Sequence, residues 1–309
     1  MIIVPKNSKQ AVEEAILEVE ERKAGLKKGI LTPYPKFNKS TGGFQPGWAY
    51  MIAAGSGIGK TTFLNIIENF LYNVNKENIL LLSWNLEVNS TMTIMKKVSA
   101  ELGVELDKLL SFNESLSDDM LAKVRKATEK YKDQPILYFE NSSTVKDIEE
   151  TILHYYSVCQ QKLKEKGEKW KILVMLDHTL LVEKEKYQDN NGLVADIGKM
   201  SMRVKKITNC TFIFLGQLNG NQEKIDRLTN PMFHAPIKDD LYGGKEIWHA
   251  LDFVGMMTRP DLLGLETYTN QSLPCADRLY LHNIKARFGN LGYIAFDTSK
   301  IGINKLIEL

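Results

Sequence analysis

Two kinds of apolar pattern alternate along this chain. Runs of consecutive apolar residues at 48–53 (W-A-Y-M-I-A), 79–83 (I-L-L-L-S), 135–140 (P-I-L-Y-F-E), 171–177 (K-I-L-V-M-L-D) and 211–217 (T-F-I-F-L-G-Q) predict strands. Between them, apolar residues return at helical spacing: Phe63, Ile66, Ile67, Phe70 and Val74 after the first run, and Leu193, Ile197, Met200 and Val204 before the last. Helices are also predicted from about Ser90 to Leu102, from about Ser117 to Tyr131, and over 145–166, which ends in the charged K-L-K-E-K. Strands alternating with helices predict an α/β fold whose central sheet is mostly parallel and flanked by helices. Runs such as Ile172–Leu176 are apolar on both faces, as covered central strands must be. Segments 252–259, 278–287 and 292–297 read as further strands, paired antiparallel near one edge, while 183–192 and 219–246 are polar loops. There is no internal repeat and no low-complexity tract.

Residues 8–28 form a predicted amphipathic helix with Ser8 as its N-cap and Ala11, Val12, Ala15, Ile16 and Val19 on one face. Gly29 and a loop containing Pro33, Pro35 and Gly42-Gly43 separate it from the remainder of the chain. The division is therefore residues 1–40, helix and loop, and 41–309, an α/β domain. The apolar stripe must be covered, either by folding back on its own core or by docking on a neighbouring copy.

The densest chemical signal comes just after the first strand. A-G-S-G-I-G-K-T (54–61) fits the phosphate-binding P-loop, with Ala54 at the first glycine position. Glycines let backbone N–H groups turn inward around an anion, and the following helix adds its positive end. Gly55, Ser56, Gly57, Ile58, Gly59, Lys60, Thr61 and Thr62 are the candidate nucleotide contacts. Lys60 would reach the β- and γ-phosphates, and the Thr61 hydroxyl would hold Mg²⁺. A nucleoside triphosphate with Mg²⁺ is thus expected.

Other predicted strands end in polar residues: Glu87 after the second, Asp177 and Gln217 after later ones. In an open α/β sheet the ligand crevice lies outside the carboxyl ends of the strands, so adjacent strands would gather these side chains around the phosphates. Asp177 suits a magnesium-holding carboxylate, although a strand-end aspartate is also a common turn former. Glu87 is a candidate base for the attacking water; a solvated or helix-capping carboxylate is the plain alternative. Gln217 can hydrogen-bond a γ-phosphate, or be a loop amide. His178 reads as a packing residue. Lys285 and Arg287, two apart in a predicted strand, leave the same face. They suit either an anion or a basic edge that discourages aggregation.

Composition narrows the class. The 43% hydrophobic and 25% charged residues are those of a soluble globular protein. A net charge of +2 leaves any polyanion contact to local patches. The start, M-I-I-V-P-K-N, lacks a signal-peptide core, and no apolar run is long enough to span a bilayer, so no membrane partner is expected. Cys159, Cys210 and Cys275 stand far apart without metal-ligand spacing, as reduced thiols of an intracellular protein.

Taken in order, the P-loop, S-W-N-L-E, L-D, G-Q-L-N and K-A-R-F-G resemble the RecA-like motor domain of DnaB-type hexameric replicative helicases, with T-G-G-F-Q-P-G-W (41–48) as its entry. The resemblance spans about residues 25–297. It implies that the nucleotide is ATP and that the protein is a ring-shaped ATPase that translocates on single-stranded DNA, 5′ to 3′, in the cytoplasm, or in a host's cytoplasm for a phage or mobile-element protein. It assigns Glu87 as catalytic glutamate, Asp177 to magnesium, Gln217 as phosphate sensor, and Lys285 and Arg287 as cations acting on a neighbour's nucleotide. Helix 8–28 takes the place of the linker helix that packs on the adjacent protomer. Where the family usually has D-L-R-E-S-G, this chain has D-L-Y-G-G-K (240–245). That departure leaves Gly243, Gly244 and Lys245, with Lys184, Lys186 and Lys224, as candidate DNA contacts. The resemblance sets the first residues at the linker helix, so neither the family's N-terminal collar nor a fused primase domain is expected. Ring assembly is then expected to rest on the helix and the motor interface, or on a primase or loader protein. The competing functions are a RecA-like recombinase that forms open filaments, and a nucleotide-gated assembly or loader ATPase that does not unwind.

Overall fold

The structure, a computed structural model, describes residues 6–25, 27–112, 114–287 and 289–309. Its elements in order are α1 (Ser8–Lys23), α2 (Pro35–Thr41), β1 (Ala49–Ala54), α3 (Lys60–Val74), β2 (Asn78–Asn85), α4 (Ser90–Leu102), α5 (Leu106–Leu109), α6 (Asp118–Glu129), β3 (Ile136–Phe139), α7 (Val145–Lys166), β4 (Trp170–Asp177), α8 (Asn190–Thr208) and β5 (Thr211–Gln217). After these come α9 (Ile225–Thr229), α10 (Gly244–Ile247), β6 (Phe253–Thr258), β7 (Arg278–Ala286), β8 (Gly292–Asp297) and β9 (Ile307–Glu308). The described strands form one nine-stranded sheet in the order β3-β2-β4-β5-β1-β6-β7-β8-β9. Pairing is parallel from β3 through β6 and antiparallel from there to β9.

Both faces of the central strands are buried, as their continuous apolar runs require. On β1, Ala49, Met51 and Ala53 join the core under α7, α8 and α10, while Tyr50, Ile52 and Ala54 join the core under α2 and α3. Phe212 and Phe214 of β5 face the first core and Ile213 and Leu215 the second. The loop before the P-loop belongs to this body, because Ile30, Tyr34, Phe37 and Phe44 are buried in the second core. Buried charge between the α3 and α4 layers is paired: Lys97 of α4 meets Glu68 of α3 at 2.5 Å, and the Tyr138 hydroxyl donates to the same carboxylate. Among the described residues, no helix is long and apolar enough to cross a membrane.

Several boundaries differ from the sequence expectations. The N-cap of α1 is Asn7, not Ser8, because Asn7 and Gln10 exchange side-chain-to-backbone hydrogen bonds in a capping box. The helix stops at Lys23 rather than at 28, where Gly25 turns into the left-handed region (φ +71°). Its stripe does not fold back on the core: Val12, Ile16 and Val19 are 57%, 55% and 65% exposed. The loop after β4 is shorter than 183–192, because Asp189 caps α8 by accepting from the Gly192 N–H. The 219–246 stretch is folded into short helical turns. Arg227 organises it, donating to the Phe233 and Ala235 carbonyls and pairing with buried Asp240 at 2.8 Å.

Candidate nucleotide-binding site

The P-loop runs off the carboxyl end of β1 into α3. Gly57 (φ +73°) and Gly59 (φ +116°) hold backbone conformations that side chains resist, and a Cβ on Gly59 would crowd Ile301 Cδ1 at 3.1 Å. Gly59 is the N-cap of α3 and offers no side chain to the first-turn N–H groups, which remain available to an anion. Ser56 and Gly57 are exposed, whereas Ile58 is buried and pins the loop. Lys60 is buried, and its ammonium donates to the carbonyls of Ala54 (3.0 Å) and Gly55 (3.2 Å). Burial lowers its pKa, against the opposing pull of Glu87 and Asp177.

Sheet register brings the expected strand-end residues to this rim. Asn85 lies opposite Asp177, and Ala54 opposite Gln217. The Thr61 hydroxyl lies 3.4 Å from Asp177 Oδ2, while Asp177 Oδ1 is buried without a hydrogen-bond partner among the described residues. Burial, then the charge of Glu87, pushes the Asp177 carboxyl up to about 6. A threonine hydroxyl beside a carboxylate with one unsatisfied buried oxygen fits Mg²⁺, which takes few protein ligands and keeps its waters. Glu87 is exposed two residues beyond β2. Thr62 lies in the first turn of α3. His178 is buried, and its Nδ1 accepts from the Leu180 N–H at 3.2 Å, capping a short turn.

One residue at this rim was missed from sequence. Lys96 of α4 is half-buried, forms no ion pair among the described residues, and feels both Asp177 and Glu87. Its helix is tied to the rim by Asn85 Nδ2 donating to Thr93 Oγ1 at 3.1 Å. A lysine one turn beyond Thr93, on a helix following the candidate base, was the signal available.

Lys285 and Arg287 do not join this group. Lys285 pairs in register with Val254, near the amino end of β6, whereas the P-loop leaves β1 beyond the pairing of Ala54 with Met257. The Lys285 ammonium donates to the Trp248 carbonyl and lies 5.2 Å from that indole's centre. Arg287, one residue past β7, meets Asp252 at 3.2 Å, and Asp252 also takes Lys205 at 2.6 Å. Burial first, and Arg287 second, lower the Lys285 pKa, so the two cations do feel each other.

The candidate DNA residues fall on two segments. Lys184 and Lys186 are exposed in the loop before α8, and Lys224 is exposed at the start of α9. Asn190 Nδ2 donates to the Tyr242 hydroxyl at 3.1 Å, joining the first loop to the Gly243–Gly244 turn. Gly243 holds a left-handed backbone (φ +63°) with Val194 3.2 Å from where a Cβ would sit, and a Cβ on Gly244 would overlap Leu241 at 2.9 Å. The Lys245 side chain and Phe288 of K-A-R-F-G lie outside the described residues.

Comparison with known proteins identifies the architecture. A family model described as the DnaB-like helicase C-terminal domain matches residues 29–300. The replicative DNA helicase DnaB of Buchnera aphidicola subsp. Baizongia pistaciae is 26% identical over 264 residues, 84% of this chain and 53% of the relative. The chain thus spans about half the length of the curated relatives it matches. Among solved structures, an isolated ATPase domain aligns with TM-score 0.75 at 19% identity, covering 96% of this chain and 98% of that one. A DnaB-like replicative helicase, solved in work on its interactions with primase, also gives TM-score 0.75, at 18% identity over 99% of this chain and 68% of its own. These two likenesses speak to the fold alone: a mostly parallel RecA-like sheet flanked by helices.

Proposed function

The chain belongs to the DnaB-like helicase C-terminal domain family, and on that premise we propose that it is an ATP-dependent DNA helicase motor acting as a ring of copies on single-stranded DNA. ATP seats its phosphates on the N–H groups of the Gly55–Thr62 loop and the first turn of α3, with Lys60 on the outer phosphates. Thr61 and Asp177 would hold magnesium, which would supply charge neutralisation to the phosphates. Glu87, exposed at the rim, orients the attacking water and takes its proton. Gln217 senses the γ-phosphate. Its carbonyl accepts from the Tyr242 N–H at 2.9 Å, tying the sensor to the Gly243–Gly244–Lys245 segment, which with Lys184, Lys186 and Lys224 follows the DNA.

The observation that carries this reading is the position of Lys285 and Arg287. They stand two strands from β1 and near the opposite ends of the strands. That separation is about 10 Å across the sheet and about 10 Å along it, before the P-loop even begins. A copy's own cations are turned away from its own phosphates, and a neighbour's cations suit the task of stabilising the charge that develops on hydrolysis. Residues 1–40 then serve as linker helix and loop, α1 reaching the adjacent copy while the loop packs its Ile30, Tyr34 and Phe37 on the ATPase domain, 41–309. A primase or a loader protein is the proposed partner class. The test is DNA-stimulated ATP hydrolysis and fork unwinding. Wild type gains hydrolysis when single-stranded DNA is added, and Lys60→Ala loses both activities. A Lys60→Ala protein that unwinds as well as wild type overturns the reading.

A further inference from the structure

The loop between β4 and α8 presents a side chain that the nucleotide site does not use. Tyr187 is 93% exposed, and its backbone sits in the left-handed region (φ +69°), which glycine or asparagine would occupy with less steric cost. The turn carrying it is braced. Gln188 N donates to the Glu185 carbonyl at 3.0 Å, Glu185 N donates to Gln188 Oε1 at 3.1 Å, and Gln188 Nε2 donates to Asp196 of α8 at 2.8 Å. Tyr187 therefore stands on a fixed support, with the Lys186 ammonium 5.1 Å from its ring centre. The loop leaves the strand that ends in Asp177, and through Asn190 and Tyr242 it touches the glycine turn.

Charge decides what such a loop can do. Across 183–189, Lys184 and Lys186 are outnumbered by Glu183, Glu185 and Asp189, so the two lysines alone give a phosphate chain little net attraction. Stacking on a nucleobase needs no net charge, tolerates any sequence, and is favoured by an exposed aromatic ring with a cation beside it. We propose that Tyr187 is a stacking platform for an unpaired base of single-stranded DNA, gripping the strand by a base beside the lysines that follow its phosphates. This rests on the helicase reading above and adds a base contact to it.

The experiment measures binding of wild type, Tyr187→Phe and Tyr187→Ala to an oligo-dT and to an abasic oligonucleotide of equal length, by fluorescence anisotropy over a range of salt. Tyr187→Ala should weaken oligo-dT binding roughly five- to 150-fold, and Tyr187→Phe should keep it. On the abasic strand all three should bind alike. The slope of log affinity against log salt should be the same for Tyr187→Ala as for wild type, because no phosphate contact is lost. An exposed tyrosine can be replaced without unfolding, which a thermal melt checks. If wild type binds oligo-dT and Tyr187→Ala binds it equally well, the stacking role is wrong while the helicase reading stands. If Tyr187→Ala weakens both strands equally, or flattens the salt slope, the contact is not to a base and the proposal is overturned. If wild type binds no single-stranded DNA, both fall.

Discussion

Asp177 sets folding against the metal-holding role proposed for it, at a single carboxyl group. Its folded pKa of about 6 lies above the ordinary 3.8, because it is buried and faces Glu87. A raised carboxyl favours the folded state fully below the unfolded value, and that contribution is lost as pH rises through about 6. Without metal, ionised Asp177 therefore costs about 3 kcal/mol at pH 8. In chelator, Asp177→Asn should raise the thermal midpoint at pH 8, with the gain fading as pH falls towards 4. Magnesium should stabilise wild type and leave the variant unchanged. Thermal melts between pH 4 and 8 decide this, and a variant less stable at pH 8 would mean the carboxylate is satisfied within the fold. Lys60, Thr61 and Asp177 were legible in the sequence because spacing next to a strand end determines where they go. Lys96 was not legible, since its place at the rim depends on how α4 docks, which no spacing encodes.

Elements were legible where local signals and packing agree. The spans of α4, α7 and β5 follow from their apolar periodicity, and residues such as Asn89 and Thr144 cap the two helices by accepting from backbone N–H groups. The turns after β5 were read only as a polar stretch, because Arg227 holds them through backbone carbonyls and one carboxylate, which leave no apolar periodicity to read. The two-residue β9 is likewise defined by its partner, β8. The amphipathic pattern of α1 was plain, but not its covering surface, because that surface is absent from the chain's own core. Ile16→Glu should accordingly leave the thermal midpoint of the dilute chain nearly unchanged, within about 0.5 kcal/mol, as for most exposed positions. The same change should reduce the mass of the assembled species seen by light scattering with a non-hydrolysable ATP analogue. Unchanged mass would mean that α1 takes no part in assembly.

At the scale of the whole molecule, strand order was the least legible property. Apolar runs identify which segments are strands, but the order depends on crossovers that place β1 between β5 and β6. That order puts the Lys285–Arg287 pair away from its own phosphate loop, which makes shared sites a testable arrangement. Arg287 is 51% exposed on its side chain, so losing its pair with Asp252 should cost the fold roughly 0–1 kcal/mol. Its loss from a neighbour's hydrolysis site should slow turnover about a thousand-fold or more. Lys60→Ala and Arg287→Ala proteins should each be inactive alone, for different reasons. Mixed and allowed to exchange subunits, they should regain part of the ATPase rate, because a Lys60→Ala copy still lends Arg287 to a neighbour whose Lys60 is intact. A site made within one chain cannot be rescued in this way. Co-assembled mixtures no more active than either variant alone would place the whole hydrolysis site in a single copy.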